Sequence, residues 1–315
     1  MCIRDRCKKC HKKASVELRR HNTAFCPLHY IGFVNDQVSR NVKKHGMFTP
    51  NHKLLLAVSG GKDSLALWDI LTTQGYNVTG LHLKLGIGTY SVKASEKTRI
   101  FAATNELQLI EYDLEAEMGL GVSLLARTLK RAPCSGCGLN KRYFFNKLAL
   151  QFKFDVLLTG HNLDDEAATL FGNVLHWQDQ ALSRQSPILE STHPNLVKKC
   201  KPLYTLTERE IASYCLLRKI NYQEEECPNA AGAHSLLYKD VLNRIEIQSP
   251  GSKHQFLQGF LRKIRPSFRS QESITLNECT SCGMASTSQV CSFCKMWERA
   301  HKLKAPKSIN QPSKR

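Results

Sequence analysis

The sequence predicts an α/β protein in which a doubly wound parallel sheet is flanked by a zinc module at each end of the chain. Between residues 54 and 175, short apolar runs that end in glycine or polar turns alternate with segments of helical periodicity. This alternation is typical of a parallel sheet with helices on both faces. Cysteine pairs with metal-ligand spacing stand before and after this region, and they predict the two modules.

The first module is predicted over residues 7–32. The stretches "CKKC" and "CPLH" supply two closely spaced pairs of soft ligands, and each pair can bind one tetrahedral ion from a turn. The predicted zinc ligands are Cys7, Cys10, Cys26 and His29. The opening "MCIRDR" resembles a leader that recurs in genes predicted from metagenomes, so Met1 to Arg6 are left out of the fold prediction.

The central domain is predicted over residues 50–270. The segment "KLLLAVSGGKDSLALWDIL" is typical of a strand, a loop and a helix. Further along the chain, "YNVTGLHLKL" predicts a second strand, "TRIFAATNELQLIEYDL" a helix and a strand, and "FDVLLTGHNLDDEAATLFGNVL" a strand, a loop and a helix. Ligands of such sheets bind beyond the carboxyl ends of the strands, so we expect the functional site there.

The second zinc module is predicted over residues 272–300, where two CxxC pairs are separated by eight residues. Its predicted ligands are Cys279, Cys282, Cys291 and Cys294. The remaining residues, 301–315, form a tail rich in lysine. Such a tail is either a solvated charge run or a segment that becomes ordered on an anionic partner.

The charge of the chain indicates a polyanionic partner. Lysine and arginine number 45 against 27 acidic residues, a formal charge of +18, which favours nucleic acid or an anionic membrane face. No run of about 18 apolar residues is present, and the N-terminus has no apolar signal region, so neither a membrane span nor secretion is predicted. We expect a cytoplasmic protein, in which 13 cysteines favour metal or redox chemistry over disulfides.

The hexapeptide "SGGKDS" lies between the first predicted strand and its helix, where backbone N–H groups favour a phosphate. It differs from the GxxxxGK[ST] loop and resembles the PP-loop of the ATP pyrophosphatases, which cleave ATP to AMP and pyrophosphate. Glycines let the chain approach the phosphates, hydroxyls and a lysine offer hydrogen bonds and charge, and an aspartate can hold Mg²⁺. These residues are Ser59, Gly60, Gly61, Lys62, Asp63 and Ser64.

Three further cysteines predict an iron–sulfur cluster. Cys134 and Cys137 form a CxxC pair, and Cys227 follows the last predicted strand. Because a [4Fe–4S] cluster ordinarily takes four thiolates, three would leave one iron open to a substrate sulfur. PP-loop enzymes adenylate an oxygen and then displace AMP with ammonia or sulfur, and the cysteines favour sulfur.

These motifs taken together resemble one family. The PP-loop, "CSGCGLNKRY", "TGHNLDDEA", "LHLKLGIGTYS" and both zinc spacings are similar to the TtuA family of tRNA 2-thiouridine synthetases, relatives of TtcA and of the eukaryotic cytosolic wobble-thiolation enzyme. The resemblance implies an enzyme that needs ATP, Mg²⁺, a [4Fe–4S] cluster and two Zn²⁺. It also implies replacement of O2 of a tRNA uridine by sulfur from the C-terminal thiocarboxylate of a ubiquitin-like carrier protein, and a homodimer.

The resemblance also assigns residues. Cys134, Cys137 and Cys227 become cluster ligands, and main-chain contacts to the nucleotide are expected at Ala57, Leu83 and Gly160. Lys141 and Asp165 are the expected catalytic residues. A lysine charge would stabilise negative charge that develops on the phosphate, and the aspartate would orient the uracil or accept a proton.

Three alternatives stay open from the sequence. The family acts at position 54 in the T-loop, whereas the eukaryotic relatives act at the wobble uridine 34, and we favour position 54. An ammonia-using or lysine-using PP-loop ligase would share the ATP site but has no need of three cluster cysteines. A non-catalytic RNA-binding scaffold would keep the zinc sites and the basic surface, but the intact Ser59 to Ser64 loop argues against it.

Overall fold

The central sheet has six strands in the order β5-β4-β3-β6-β8-β7. The structure, a computed structural model, describes residues 5–230, 232–270 and 275–304. The sheet strands are β3 (Leu54–Ala57), β4 (Val78–Lys84), β5 (Leu109–Asp113), β6 (Val156–Thr159), β7 (Ile188–Leu189) and β8 (Lys198–Cys200). All pairs are parallel except β7 with β8. The predicted fold class is confirmed.

Helices cover both faces of this sheet, as the alternating pattern predicts. They are α1 (Pro27–His45), α2 (Lys62–Thr73), α3 (Gly88–Thr104), α4 (Leu114–Met118), α5 (Val122–Leu129), α6 (Pro133–Gln151), α7 (Leu163–Leu175), α8 (Asp179–Arg184), α9 (Glu208–Arg218), α10 (His234–Gln248), α11 (Ser252–Gly259) and α12 (Ser292–Lys304). A π-helical stretch, Phe260–Ile264, follows α11.

Alternate residues of one strand enter different cores, because successive side chains point to opposite faces of a sheet. In β3, Leu54 and Leu56 pack with α1, α2 and α9. Leu55 packs on the other face with α5, α6 and α12. The buried strands are therefore apolar on both faces, which explains their continuous apolar runs.

The order of the strands reverses between β3 and β6. From β3 the chain builds outward through β4 and β5, and it then returns to the other side of β3 to form β6. A reversal of this kind opens a crevice beyond the carboxyl ends of the two strands. The loop 59–64 follows β3, and Gly160 follows β6, so both lie at this crevice.

The terminal modules pack against opposite faces of the central domain. The first contains a hairpin of β1 (Val16–Leu18) and β2 (Thr23–Phe25), and Arg20 beside it donates two hydrogen bonds to Glu210 at the start of α9 (2.9 and 2.8 Å). The second contains β9 (Asn277–Glu278), β10 (Ala285–Ser286) and α12, and it packs on α6. Residues 305–315 of the predicted tail lie outside the described residues. Residues 272–274 of the second module also lie outside them.

None of the helices in the described part of the chain is long and apolar enough to cross a membrane.

Candidate active site

The loop after β3 has a backbone that only glycine can form at one position. Gly60 has φ +80°, and a Cβ built there would lie 2.6 Å from the carbonyl oxygen of Ala94. Ser64 fixes the loop, since its Oγ accepts from the N–H of Ser59 at 3.2 Å and donates to the carbonyl of Gly61 at 3.0 Å. Gly61 is the N-cap residue before α2 and has no side chain to cap the helix, so the helix N-terminus offers backbone N–H groups to a phosphate.

A cleft of about 420 Å³ opens beside this loop. It brings together most of the predicted nucleotide and catalytic residues, namely Ala57, Ser59, Asp63, Ser64, Leu83, Lys141, Gly160 and Asp165. Gly60, Gly61 and Lys62 belong to the same loop but are not among the lining residues. The volume lies within the range of small-molecule and cofactor sites.

Asp63 holds its carboxylate in a confined position at the start of α2. Burial raises its pKa to about 6, the adjacent Lys62 ammonium opposes this rise, and Asp165 adds to it. Its Oδ1 accepts from Asn162 Nδ2 at 3.1 Å, and its Oδ2 lies 3.2 Å from Lys62 Nζ. Carboxylate oxygens are preferred by Mg²⁺, and a divalent ion here would offset the cost of the buried charge.

Asp165 lies across the cleft in the first turn of α7. Burial favours its neutral form, but the Lys239 ammonium, 2.6 Å from Oδ1, acts together with His161 and the N–H of Asn162 to lower the pKa of Asp165 below its usual value. Its Oδ2 also accepts from the backbone N–H of Asn162 in a capping box. Asp165 is therefore ionised at neutral pH and held in a fixed orientation.

The three predicted cluster cysteines lie near one another and near Lys141. Cys134 and Cys137 lie in the first turns of α6, and Cys134 Sγ donates to the carbonyl of Asn229, two residues beyond Cys227 (3.2 Å). Burial raises the pKa of Cys137, the Lys141 ammonium one turn later opposes this, and Cys227 and Cys134 add to the rise. The three thiols are thus neighbours, and Lys141 joins them to the cleft.

The segment before Cys227 is attached to the phosphate loop. The N–H of Gln223 donates to the carbonyl of Gly60 at 2.8 Å. Gly160 approaches the loop from the other side, where a Cβ would lie 3.0 Å from the backbone of Asp63 and Ser64. A side chain at position 160 would therefore displace the loop.

The sequence did not predict several residues of the site. Asn162 contacts Asp63, and Lys239 of α10 forms ion pairs with Asp165 and with Glu208 (2.5 Å). Tyr90 lines the cleft, and burial together with the Cys227 and Cys137 thiols raises its pKa. Tyr90 stands in "LHLKLGIGTYS", but Lys239 stands in a helix with no motif to indicate its role.

The first zinc set converges on one point. Cys7 Sγ and Cys26 Sγ lie 3.3 and 3.4 Å from His29 Nδ1, and Cys10 Sγ lies 3.7 Å from Cys26 Sγ. A tetrahedral zinc with bonds of about 2.3 Å places neighbouring sulfurs roughly 3.8 Å apart. The four donor atoms all lie within 4.8 Å of one another, so this set fits a single zinc ion.

The second set has the same geometry. Cys279 Sγ lies 3.9 Å from Cys294 Sγ, and Cys282 Sγ lies 3.8 Å from Cys291 Sγ. Burial alone would raise the pKa of Cys279, but backbone N–H donors of the turns lower it to about 6. A thiolate stabilised in this way is suited to bind zinc. Within the described residues, Cys134, Cys137 and Cys227 do not converge so closely, as expected for ligands of different irons.

The chain matches two families of domains. The PP-loop domain family matches residues 34–233, and the family described as "2-thiouridine synthetase TtuA, N-terminal LIM domain" matches residues 6–31. The structure is also similar to a structure described as "U34-tRNA thiolase NcsA from Methanococcus maripaludis with its [4Fe-4S] cluster". That likeness has a TM-score of 0.82 at 24% identity and covers 94% of this chain and 96% of the other, so it supports the fold.

Two curated relatives are similar along almost their whole length. The tRNA-5-methyluridine(54) 2-sulfurtransferase of Thermus thermophilus is 50% identical over 94% of this chain and 92% of its own. The protein of the same name from Thermotoga maritima is 42% identical over 95% and 98%. The resemblance that the sequence motifs predicted is confirmed. The chain belongs to the PP-loop domain family and, within it, to the family of tRNA-5-methyluridine(54) 2-sulfurtransferases.

Proposed function

We propose that this protein is an ATP-dependent tRNA 2-sulfurtransferase that acts on 5-methyluridine 54. The observation that carries the proposal is the common cleft, in which the phosphate loop, Asp165 and Lys141 meet beside three clustered thiols. The relatives named for this activity match almost the whole chain. Their names also favour position 54 over the wobble position.

The first half-reaction is assigned to the phosphate loop. O2 of the uridine attacks the α-phosphorus of ATP, the bond to the bridging oxygen breaks, and pyrophosphate leaves. The N-terminus of α2 binds the pyrophosphate through backbone N–H groups. Asp63 would hold a Mg²⁺, which would neutralise the charge of the pyrophosphate. Main-chain groups of Ala57, Leu83 and Gly160 bind the nucleotide.

Lys141 and Asp165 take separate roles in this proposal. The Lys141 ammonium stabilises negative charge on the α-phosphate in the transition state. Asp165 orients the uracil as a hydrogen-bond acceptor, because its lowered pKa makes it a weak base at neutral pH. The alternative of proton acceptance by Asp165 is therefore disfavoured.

The three thiols fit an iron–sulfur cluster. Two of them share the first turn of α6, the third comes from the segment that follows α9, and Lys141 lies both beside Cys137 and in the lining of the cleft. Cys134, Cys137 and Cys227 would hold a [4Fe–4S] cluster, which supplies an iron without a protein ligand to which sulfur can bind. In the second half-reaction a hydrosulfide attacks C2 of the adenylated uridine, the C2–O bond breaks, and AMP leaves with the electron pair. Hydrolysis of the carbon–sulfur bond of the thiocarboxylate donor would supply the hydrosulfide and leave a carboxylate.

The sulfur donor, the assembly, the zinc content and the domain division also belong to the proposed function. We propose that the sulfur comes from the thiocarboxylate of a ubiquitin-like carrier, that the enzyme is a cytoplasmic homodimer, and that zinc fills both terminal sites. The proposed division is 7–32 and 272–300 for the zinc modules, 50–270 for the catalytic domain and 301–315 for a basic tail. A formal charge of +18 is consistent with a tRNA substrate.

The test is anaerobic reconstitution followed by thiolation of tRNA. We expect bound iron and sulfide, visible absorption from the cluster, AMP release that depends on tRNA, and 2-thiouridine at position 54 in mapped tRNA fragments. Thiouridine at position 34 would replace the proposed target. A protein without iron that releases AMP would indicate the ammonia-using or lysine-using alternative.

Single cysteine variants separate the cluster from the ATP site. Cys227→Ala should lose the cluster and thiolation but still bind ATP, because the phosphate loop is built from separate backbone groups. Cys200→Ala is the matched control, since Cys200 is a buried thiol on β8 that belongs to none of the three predicted metal sets. A Cys227→Ala protein with a normal cluster and full activity would remove Cys227 from the site.

A further inference from the structure

A lysine on strand β8 faces the same side of the sheet as α6. In the register of the sheet, Lys199 is paired with Leu157 of β6. Leu157 packs in the core formed with α6, as does Val197 two residues before Lys199. Because residues two apart on a strand share a face, the stem of Lys199 also lies on the α6 side.

Arg142 stands at the same level on α6. One turn later, Asn146 accepts from the N–H of Val197 at 3.0 Å and donates to the carbonyl of Asn195 at 2.9 Å. The helix and the strand run in opposite directions, so one turn back along α6 corresponds to about two residues forward along β8. This alignment places Arg142 beside Lys199.

A third cation comes from the end of α8. Arg184 is the last residue of that helix and is exposed. Three residues later the carbonyl of Pro187 accepts from the N–H of Lys201, which brings this segment alongside the end of β8 at 2.9 Å. Arg142, Arg184 and Lys199 form what we name the β8 cation cluster.

The β8 cation cluster has no acidic partner among the residues that the structure describes. Within the part of the chain that the structure describes, none of its members forms an ion pair with a carboxylate. Burial, together with the charges of both arginines, lowers the pKa of Lys199 to about 8. Burial and Arg184 likewise lower the pKa of Arg142. Three like charges held together without an anion destabilise the free protein.

We propose that the β8 cation cluster binds backbone phosphates of the tRNA strand that carries the target uridine. The inference rests on the proposed function and gives it a location for part of the RNA contact. Arg142 follows Lys141 directly, so a phosphate at the cluster would lie next to the catalytic cleft. The fixed forks of two guanidiniums match phosphate oxygens.

The cluster is separate from the ATP phosphates. Strand β8 lies two strands away from β3, with β6 between them, and neighbouring strands are about 4.8 Å apart. The loop that binds ATP phosphate follows β3. A single carboxylate or thiocarboxylate at a protein C-terminus also carries too little charge for three cations, whereas consecutive phosphates of RNA supply one charge per nucleotide.

The test compares Arg142→Gln, Arg184→Gln and Lys199→Gln with Lys147→Gln, using an unmodified tRNA transcript. Lys147→Gln is the matched control, because this change removes one positive charge from α6, as Arg142→Gln does. The Lys147 Nζ does not belong to the β8 cation cluster and lies over the Tyr143 ring, 6.0 Å from the centroid. For each cluster variant we expect tRNA affinity to fall roughly five- to tenfold and the slope of log affinity against log salt to become shallower by about one. ATP affinity should stay unchanged.

Lys199→Met gives a readout that a purely structural lysine would not give. The methionine keeps an apolar stem and removes the repelled charge, so we expect a higher Tm for the free protein together with weaker tRNA binding. A lower Tm with unchanged tRNA affinity would assign Lys199 to packing and would contradict the proposal.

Other outcomes are also distinguishable. If the wild-type protein neither binds nor thiolates tRNA, the proposed function itself fails. If the wild type thiolates tRNA and the cluster variants keep its affinity and salt slope, only this inference fails. Variants that bind tRNA normally but lose sulfur transfer from a thiocarboxylated carrier, while inorganic sulfide still supports thiolation, would assign the cluster to the carrier and overturn the RNA proposal.

Discussion

We expect the Asp63 carboxyl group to change its protonation state close to neutral pH. Its pKa of about 6 results from burial, which Lys62 opposes and Asp165 reinforces. A raised carboxyl pKa means that the folded state binds the proton more tightly than the unfolded state does. The contribution of this group to stability is therefore greatest at low pH and is lost as pH rises through about 6.

Asp63→Asn should reveal this linkage in protein without ATP and metal. The asparagine removes the confined charge, so its Tm relative to wild type should increase as pH rises from about 5 to about 8. Mg²⁺-dependent ATP binding should be lost in the variant, and in the wild type it should weaken as pH falls below about 6. Thermal unfolding and calorimetric titration at both pH values check this. A pH-independent difference in Tm would contradict the raised pKa.

Two neighbouring glycines of the phosphate loop should respond differently to alanine. At Gly60 the added Cβ would meet the Ala94 carbonyl at 2.6 Å in a backbone with φ +80°, so Gly60→Ala should lose stability by about 1–3 kcal/mol and lose ATP binding. At Gly61 φ is −82° and the nearest contact is Ser59 Oγ at 3.4 Å. Gly61→Ala should fold normally. Equal unfolding free energies for the two variants would show that the loop can rearrange.

The sequence could predict residues whose role depends on the local chain. The glycines, serines and Asp63 follow a strand and begin a helix, so their neighbours in sequence are also their neighbours in the site. Lys239 and Asn162 act through partners that are distant in sequence. Neither a spacing nor a periodicity records such pairs, which is why they were missed.

Helix α6 carries residues with three different proposed roles. Its first turn carries Cys134 and Cys137, the next turn carries Lys141 and Arg142, and its other side packs on the second zinc module. Tyr143 stacks on Phe293 with ring centroids 3.5 Å apart. The position of the cleft lysine therefore depends on a module that is distant in sequence.

A buried hydrogen bond between α6 and α12 should be measurable in stability. Trp297 Nε1 donates to Asn140 Oδ1 at 3.0 Å, and both residues are buried. Asn140→Ala leaves the indole N–H unpaired, so we expect the free energy of unfolding to fall by about 1–3 kcal/mol. With Trp297→Phe as the second change, the double variant should lose less than the sum of the single variants. Strict additivity in urea unfolding would show that the bond contributes nothing.

At the scale of elements, the sequence predicts those strands that are buried on both faces of the sheet. β3, β4 and β6 are covered on both faces and read as apolar runs, which predicted them. β7 is an edge strand of two residues, and its neighbour β8 has three residues, of which two are Lys198 and Lys199. β7 is too short to form an apolar run, and the two lysines of β8 interrupt one, so the sequence did not predict these strands.

At the scale of the whole molecule, the two zinc modules stabilise different parts of the enzyme. The first contacts α9 through Arg20 and Glu210, and Tyr30 of α1 donates to the carbonyl of Glu210 at 2.8 Å. These contacts lie on the face of the sheet that is opposite to the predicted cluster cysteines of α6. The second supports α6, which carries two of those cysteines. Loss of zinc from one end should therefore differ in effect from loss at the other.

Cys7→Ser and Cys279→Ser test this difference. Each change removes a ligand whose binding is coupled to folding, so both variants should have a lower Tm and about one zinc fewer per chain. Only Cys279→Ser should also reduce the iron and sulfide that the protein retains after reconstitution, because α6 loses its support there. Zinc content, thermal unfolding and cluster absorption provide the three readouts, with ATP affinity as the control that both variants should preserve. Equal loss of cluster in the two variants would mean that the whole domain, rather than α6, depends on each zinc site.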